Sequence, residues 1–237
     1  MEPIFEKFGI DYYLVGAVAR DIQLGTDAGS ARKTNDIDIA ILINEEEQFY
    51  ALKDALIETG NFEAHPTEAI KIFYKGAIEV DLLPFGEIEL PNREIRLSKP
   101  TPFVINMPGF KEVFPYVSKI QVSENFTLNV CSLEGIILLK LISNDDKPGR
   151  SKDIADIEHI IQVYLELNDT DIYMDYGDVM DLYETQERNY MALISARVLG
   201  RKMRDVLYNS PLKERIVRIL GKRPTALWQA MLDGMND

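Results

Sequence analysis

The chain has 237 residues, a 46% apolar share and a formal charge of −13, which allow one large or two small domains with a real core and weigh against a protein coated in nucleic acid. A single cysteine, Cys131, excludes an internal disulfide framework and makes the cytoplasm the default location. The longest apolar run, residues 135–142, is short and contains Lys140, so no membrane span is expected, and Glu2, Glu6 and Lys7 are unlike the start of a secretory signal.

In chain order, residues 12–15 read as a short apolar strand and 16–24 as a helix that stops at Gly25. Residues 26–33 are rich in Gly, Ser, Asp and Ala and read as a loop. The β-branched run 37–43 predicts a strand. Helical spacing of Phe49, Leu52 and Leu56 predicts a helix over 45–58, with Gly60 as its stop. Residues 69–74 and 77–83 predict a hairpin around Lys75-Gly76. Prolines at 84, 91, 100, 102 and 108 then mark a loop-rich stretch, before two strands over 119–122 and 126–130. After Ser132 the pattern turns helical: one helix to about 141, a second over 152–165, and three more after 178, broken near Pro211 and Pro224. The expected architecture is a mixed-sheet α/β (α+β) domain, residues 1–131, followed by a helical domain, residues 132–237.

Three pieces of the first half carry chemistry: Gly16 at a strand-to-helix turn, Asp36-Ile37-Asp38 at the start of a strand, and Asp81 inside the apolar run 78–83. Side chains alternate along a strand, so Asp36 and Asp38 share a face while Ile37 and Ile39 turn to the core. Two neighbouring carboxylates repel unless a cation lies between them. An Asp-x-Asp alone is commonplace on an exposed strand. The ordered set is more telling, because Asp81 has no packing reason to sit among Ile78, Val80, Leu82 and Leu83. Three carboxylates on adjacent strands can hold two magnesium ions, with Asp81 binding or deprotonating an acceptor hydroxyl. Gly16 lets backbone approach phosphate, and the following helix offers its N–H groups to an anion.

The run Tyr13-Leu14-Val15-Gly16-Ala17-Val18-Ala19-Arg20-Asp21 resembles the glycine motif of the CCA-adding and poly(A) polymerase branch of the nucleotidyltransferase superfamily, which includes DNA polymerase beta and the aminoglycoside nucleotidyltransferases. The resemblance implies a nucleotidyltransferase fold in which Gly16, Ala17 and Arg20 bind a nucleoside triphosphate and Asp36, Asp38 and Asp81 bind two magnesium ions. Ala17 stands where the family usually has Gly or Ser, and no Arg-Arg-Asp-Phe follows the third carboxylate, which argues against a CCA-adding enzyme. Ala17 also leaves room for a catalytically silent nucleotide-binding or toxin–antitoxin module of the same fold.

In the second half, Leu139-Lys140-Leu141 and the run Arg150-Ser151-Lys152-Asp153-Ile154-Ala155-Asp156 resemble the lysine and Arg-x-Lys-Asp-x-x-Asp pattern of AbiEii-type nucleotidyltransferases, many of them toxins of toxin–antitoxin pairs. By that resemblance Lys140 and Lys152 neutralise the triphosphate, Asp153 supports the site, and an antitoxin protein is an expected partner. Lys140 also stands in an otherwise apolar helix, where a charge is costly unless it faces a cleft or snorkels to the surface.

The acceptor is open. Residues 186–223 hold ten basic and three acidic side chains, +7 against −20 for the rest; these basic helices would suit an RNA or tRNA acceptor if they are more than a solvated face. The acidic remainder would suit a small cationic molecule, and a protein hydroxyl is a third class. No P-loop, no Gly-x-Ser-x-Gly turn and no zinc-spaced cluster around His65 or His159 competes with this reading.

Overall fold

The computed structural model describes residues 1–25, 36–124 and 126–237. The expected loop 26–33 and the residues Thr34 and Asn35 lie outside the described residues. The chain divides into two compact units, Met1–Ser132 and Leu133–Asp237.

The first unit is built on a seven-stranded mixed sheet. Its strands are β1 (Tyr12–Val15), β2 (Asp36–Leu42), β3 (Phe62–Ala64), β4 (Lys71–Tyr74), β5 (Ile78–Phe85), β8 (Ser118–Ser123) and β9 (Phe126–Val130), in the order β3-β4-β5-β2-β1-β9-β8. β2 is central, parallel to β5 and antiparallel to β1. The parallel pairing requires a crossover, which α3 (Glu46–Glu58) and the β3–β4 hairpin supply. Phe49, Leu52 and Leu56 of α3 are fully buried, as are Ile41 and Leu82 of the central strands. The β4–β5 turn takes positive φ at both Lys75 and Gly76, the conformation a right-twisted hairpin favours.

The proline-bearing stretch is more ordered than its composition predicts. It contains a second hairpin, β6 (Glu94–Leu97) with β7 (Phe103–Asn106), and the short helix α4 (Phe110–Val113). Pro91, Pro100, Pro102 and Pro108 flank these strands and do not enter them. Pro84 lies inside β5, but β4 pairs with β5 only as far as Asp81. The last bond on that side is donated by Leu82 N–H to Ile70 C=O, so the N–H that Pro84 lacks has no ladder partner to miss. An N-terminal helix, α1 (Glu2–Phe8), and β3 were also outside the sequence reading; one is short with a single buried residue, Phe5, and the other spans three residues.

The second unit is helical: α5 (Leu133–Asp146), α6 (Ser151–Leu167), α7 (Asp169–Asp175), α8 (Gly177–Met180), α9 (Tyr190–Val206), α10 (Leu212–Gly221) and α11 (Ala226–Asn236). Trp228 and Tyr164 are core residues. α9 and α11 cross with their backbones in contact. A Cβ on Gly200 would lie 2.1 Å from Met231 C=O, and one on Gly234 2.1 Å from Arg197 C=O. Among the described residues, no helix is long and apolar enough to cross a membrane.

Candidate active site

Strand pairing places the acidic residues of the first unit in rows across one face of the sheet. Asp38 of β2 is opposite Asp81 of β5, which is opposite Lys71 of β4. One step along, Asp36 is opposite Glu79, which is opposite Phe73. Paired positions share a face, so Asp36, Asp38, Glu79 and Asp81 converge there with Lys71 among them. The other face of the same strands carries Ile37, Ile78 and Val80, which with Tyr74 and Phe62 line an apolar cavity of about 450 Å³.

The turn from β1 into α2 (Gly16–Leu24) closes the carboxylate face. Gly16 has φ +69°, and a Cβ there would lie 2.1 Å from Asp38 Oδ2. The backbone conformation favours glycine, and any Cβ there would push the Asp38 carboxylate aside. Ala17 follows, half-buried, in the first turn of α2. Arg20 is buried on α2, and its Nε and a terminal nitrogen donate to Asp21 Oδ1 at 2.8 and 2.6 Å.

The Asp81 carboxyl is perturbed. Burial pushes it up to about 6; the Lys71 ammonium opposes the rise, and Glu79, Asp36 and Glu68 add to it. Its Oδ1 is buried without a hydrogen-bond partner. An orphaned carboxylate oxygen beside a second carboxylate is a donor set of the kind a hard divalent cation takes. Among the described residues, no three acidic, histidine or cysteine side chains close into a ready-made metal cage. Magnesium rarely needs one, because it keeps waters and shares ligands with a substrate's phosphates.

Lys71, Glu68 and Glu79 were not singled out from the sequence. Lys71 Nζ donates to Glu79 Oε1 at 2.5 Å and lies 3.4 Å from Glu68. The signal was present in the hairpin: a turn at residues 75–77 fixes the register and sets Lys71 opposite Asp81.

Lys140, Lys152 and Asp153 belong to the second unit. Lys140 Nζ donates to Asp156 Oδ2 at 2.6 Å and to Asp153 Oδ1 at 3.3 Å, and Arg150 Nε donates to Asp153 Oδ2 at 2.7 Å. The cluster ties α5 to the first turn of α6. Asp153, whose side chain is 1% exposed, would be raised by burial alone, but Arg150 and Lys140 hold its carboxyl below the usual range. Lys140 is thus neither snorkelling nor in an apolar environment. Lys152 is exposed.

The basic segment 186–223 is partly compensated within its own unit. Arg197 and Arg201 pair with Asp237, Arg201 also with Asp178, Arg204 with Asp205, and Arg215 with Asp145 and Asp146. Lys222 pairs with Asp145, and Arg223 stacks over Trp228. Part of the formal +7 is therefore offset by carboxylates outside the segment.

Comparison with known proteins gives a family match over nearly the whole chain. The family model described as "Nucleotidyl transferase AbiEii toxin, Type IV TA system" matches residues 5–237. No curated protein matches. Among solved structures, the antibiotic-resistance factor ANT(2'')-Ia aligns at 14% identity and TM-score 0.43, over 76% of this chain and 91% of its own. A nucleotidyltransferase-like protein from Paracoccidioides brasiliensis aligns at 16% identity and TM-score 0.37, over 75% and 85%. The Bradyrhizobium diazoefficiens CD-NTase CdnG, solved with GTP, aligns at 12% and 0.26, over 95% and 77%. At these values the structural likenesses add nothing to the family match.

Proposed function

The chain belongs to the AbiEii nucleotidyltransferase family, and from that premise we propose that it transfers a nucleoside monophosphate from a nucleoside triphosphate to an acceptor hydroxyl, releasing pyrophosphate. The observation that supports this best is Asp81, a carboxylate with a buried oxygen unpartnered among the described residues, in register with Asp38, which itself lies against the glycine turn. Asp36, Asp38 and Asp81 would hold the magnesium ions. When bound, magnesium would neutralise the triphosphate and stabilise charge on the attacking and leaving oxygens. Gly16 and Ala17 would place the first-turn N–H groups of α2 against the phosphates. Asp81 would bind or deprotonate the acceptor hydroxyl. Positioning and charge neutralisation carry the rate, because no residue forms a covalent bond to the substrate. By the family resemblance, Arg20 would serve the triphosphate; in the second unit Asp153 holds Lys140 in place.

The acceptor classes are an RNA, a small cationic molecule or a protein. The internal pairing of Arg197, Arg201 and Arg215 weighs against RNA held on the basic helices. The family's toxin–antitoxin description supports a cognate antitoxin as the functional partner. The test is transfer of each α-labelled nucleoside triphosphate, with magnesium, into total RNA, cell protein or an aminoglycoside panel. Label should enter one pool and be lost in Asp36→Ala/Asp38→Ala. Nucleotide binding without transfer into any pool would favour the silent module that Ala17 permits.

A further inference from the structure

Among the described residues, Lys71 is a cation of the carboxylate face, and its setting is unusual for a strand lysine. Its side chain is only 15% exposed, although lysine ordinarily keeps its head in water. It stands directly opposite Asp81, in the row that continues to Asp38. Its bonds go diagonally to Glu79 at 2.5 Å and to Glu68 at 3.4 Å. Glu79 is itself the cross-strand partner of Asp36. One ammonium therefore pairs with Glu68 and Glu79 and stands across the ladder from Asp81, with Asp36 and Asp38 in the adjoining strand. An ion pair with Glu79 alone would be satisfied at the sheet surface. It would not require burial beside a carboxylate whose own oxygen has no partner.

We propose that Lys71 is a resident counter-ion of this face, which holds the carboxylates together in the absence of a divalent cation and weakens that cation's binding when it arrives. The inference rests on the metal-site reading above. Carboxylates this close destabilise the sheet unless a positive charge offsets them. A fixed ammonium offsets part of the repulsion and, by the same Coulomb interaction, opposes a dication entering the face. Removing a unit charge at this range changes dication affinity by about tenfold or more, allowing for partial screening. The device makes cation binding weak enough to depend on the phosphates that accompany the nucleotide.

The test is Mn²⁺ binding to the full chain, read as free Mn²⁺ by electron paramagnetic resonance, with thermal melting in EDTA alongside. Lys71→Met and Lys71→Gln should bind Mn²⁺ about tenfold or more tightly than the parent. They should also melt lower in EDTA and recover in saturating Mn²⁺, and Lys71→Arg should keep parental values in both assays. Unchanged or weaker Mn²⁺ binding in a folded Lys71→Met or Lys71→Gln protein overturns the proposal. If the methionine variant does not fold, the glutamine variant, which keeps a polar head, carries the measurement. Failure of the parent to bind Mn²⁺, or full binding in Asp36→Ala/Asp38→Ala, overturns the metal-site reading itself.

Discussion

In EDTA, Asp81→Asn should stabilise the protein near neutral pH. The Asp81 carboxyl rises from its ordinary 3.8 to about 6, chiefly through burial. Its folded value exceeds its unfolded one, so the folded state holds an extra proton between those limits. Stability of the parent protein therefore falls as pH rises through that window and levels off above about 6. The shift corresponds to a ceiling of about 3 kcal/mol, which partial solvent access reduces to ~1–2 kcal/mol. Asparagine keeps the shape and removes the charge. Urea denaturation at pH 7.5 should show a gain of ~1–2 kcal/mol for the variant, shrinking to about half at pH 5, where the parental carboxyl is mostly protonated. Saturating Mg²⁺ should reverse the sign, because only the carboxylate gains from the cation. A variant less stable than the parent at pH 7.5 in EDTA, or a gain equal at both pH values, would refute the reasoning.

Gly16→Ala should cost about 1–2 kcal/mol from the left-handed backbone alone. It should also displace Asp38, so Mn²⁺ affinity falls with it; normal cation binding would show that the carboxylate does not need the glycine's open space. Lys140→Met leaves the 1%-exposed Asp153 side chain with Arg150 as its remaining cation, and should cost about 3 kcal/mol in chemical denaturation. A loss near zero would mean that the cluster is not a buried network. Gly200→Ala drives a methyl to 2.1 Å from Met231 C=O, and should lower the melting temperature by several degrees, for a loss of about 2 kcal/mol; an unchanged value would show that α11 moves away at little cost.

Much of the site was legible because it lies on strands. Alternation sorted Asp36 and Asp38 from Ile37 and Ile39, and the structure pairs Asp38 with Asp81 across β2 and β5. The glycine turn was legible as a turn, but not its reason: that Asp38 fills the space beside Gly16 depends on two elements meeting, which no local pattern encodes. Lys71 went unnoticed because a lysine at a strand start is ordinary until the hairpin register sets it opposite Asp81. In the fold, the helices with strong apolar spacing were readable, whereas β6 and β7 were hidden by prolines that flank them. The charge of residues 186–223 was only partly legible. Its compensating partners Asp145, Asp146, Asp178 and Asp237 lie outside the segment, so a local count saw the cations without their anions.

The contact between Gly16 and Asp38 implies a thermodynamic linkage. The carboxylate stands at the start of α2, the end of a helix that attracts an anion. As an anion it repels a phosphate approaching the same N–H groups; offset by a bound cation, it would admit one. On the proposed metal-site reading, nucleotide and divalent cation would then each raise the affinity of the other by the same factor, since the cation offsets the carboxylate charge that repels the phosphates, and the phosphates add negative ligands that hold the cation.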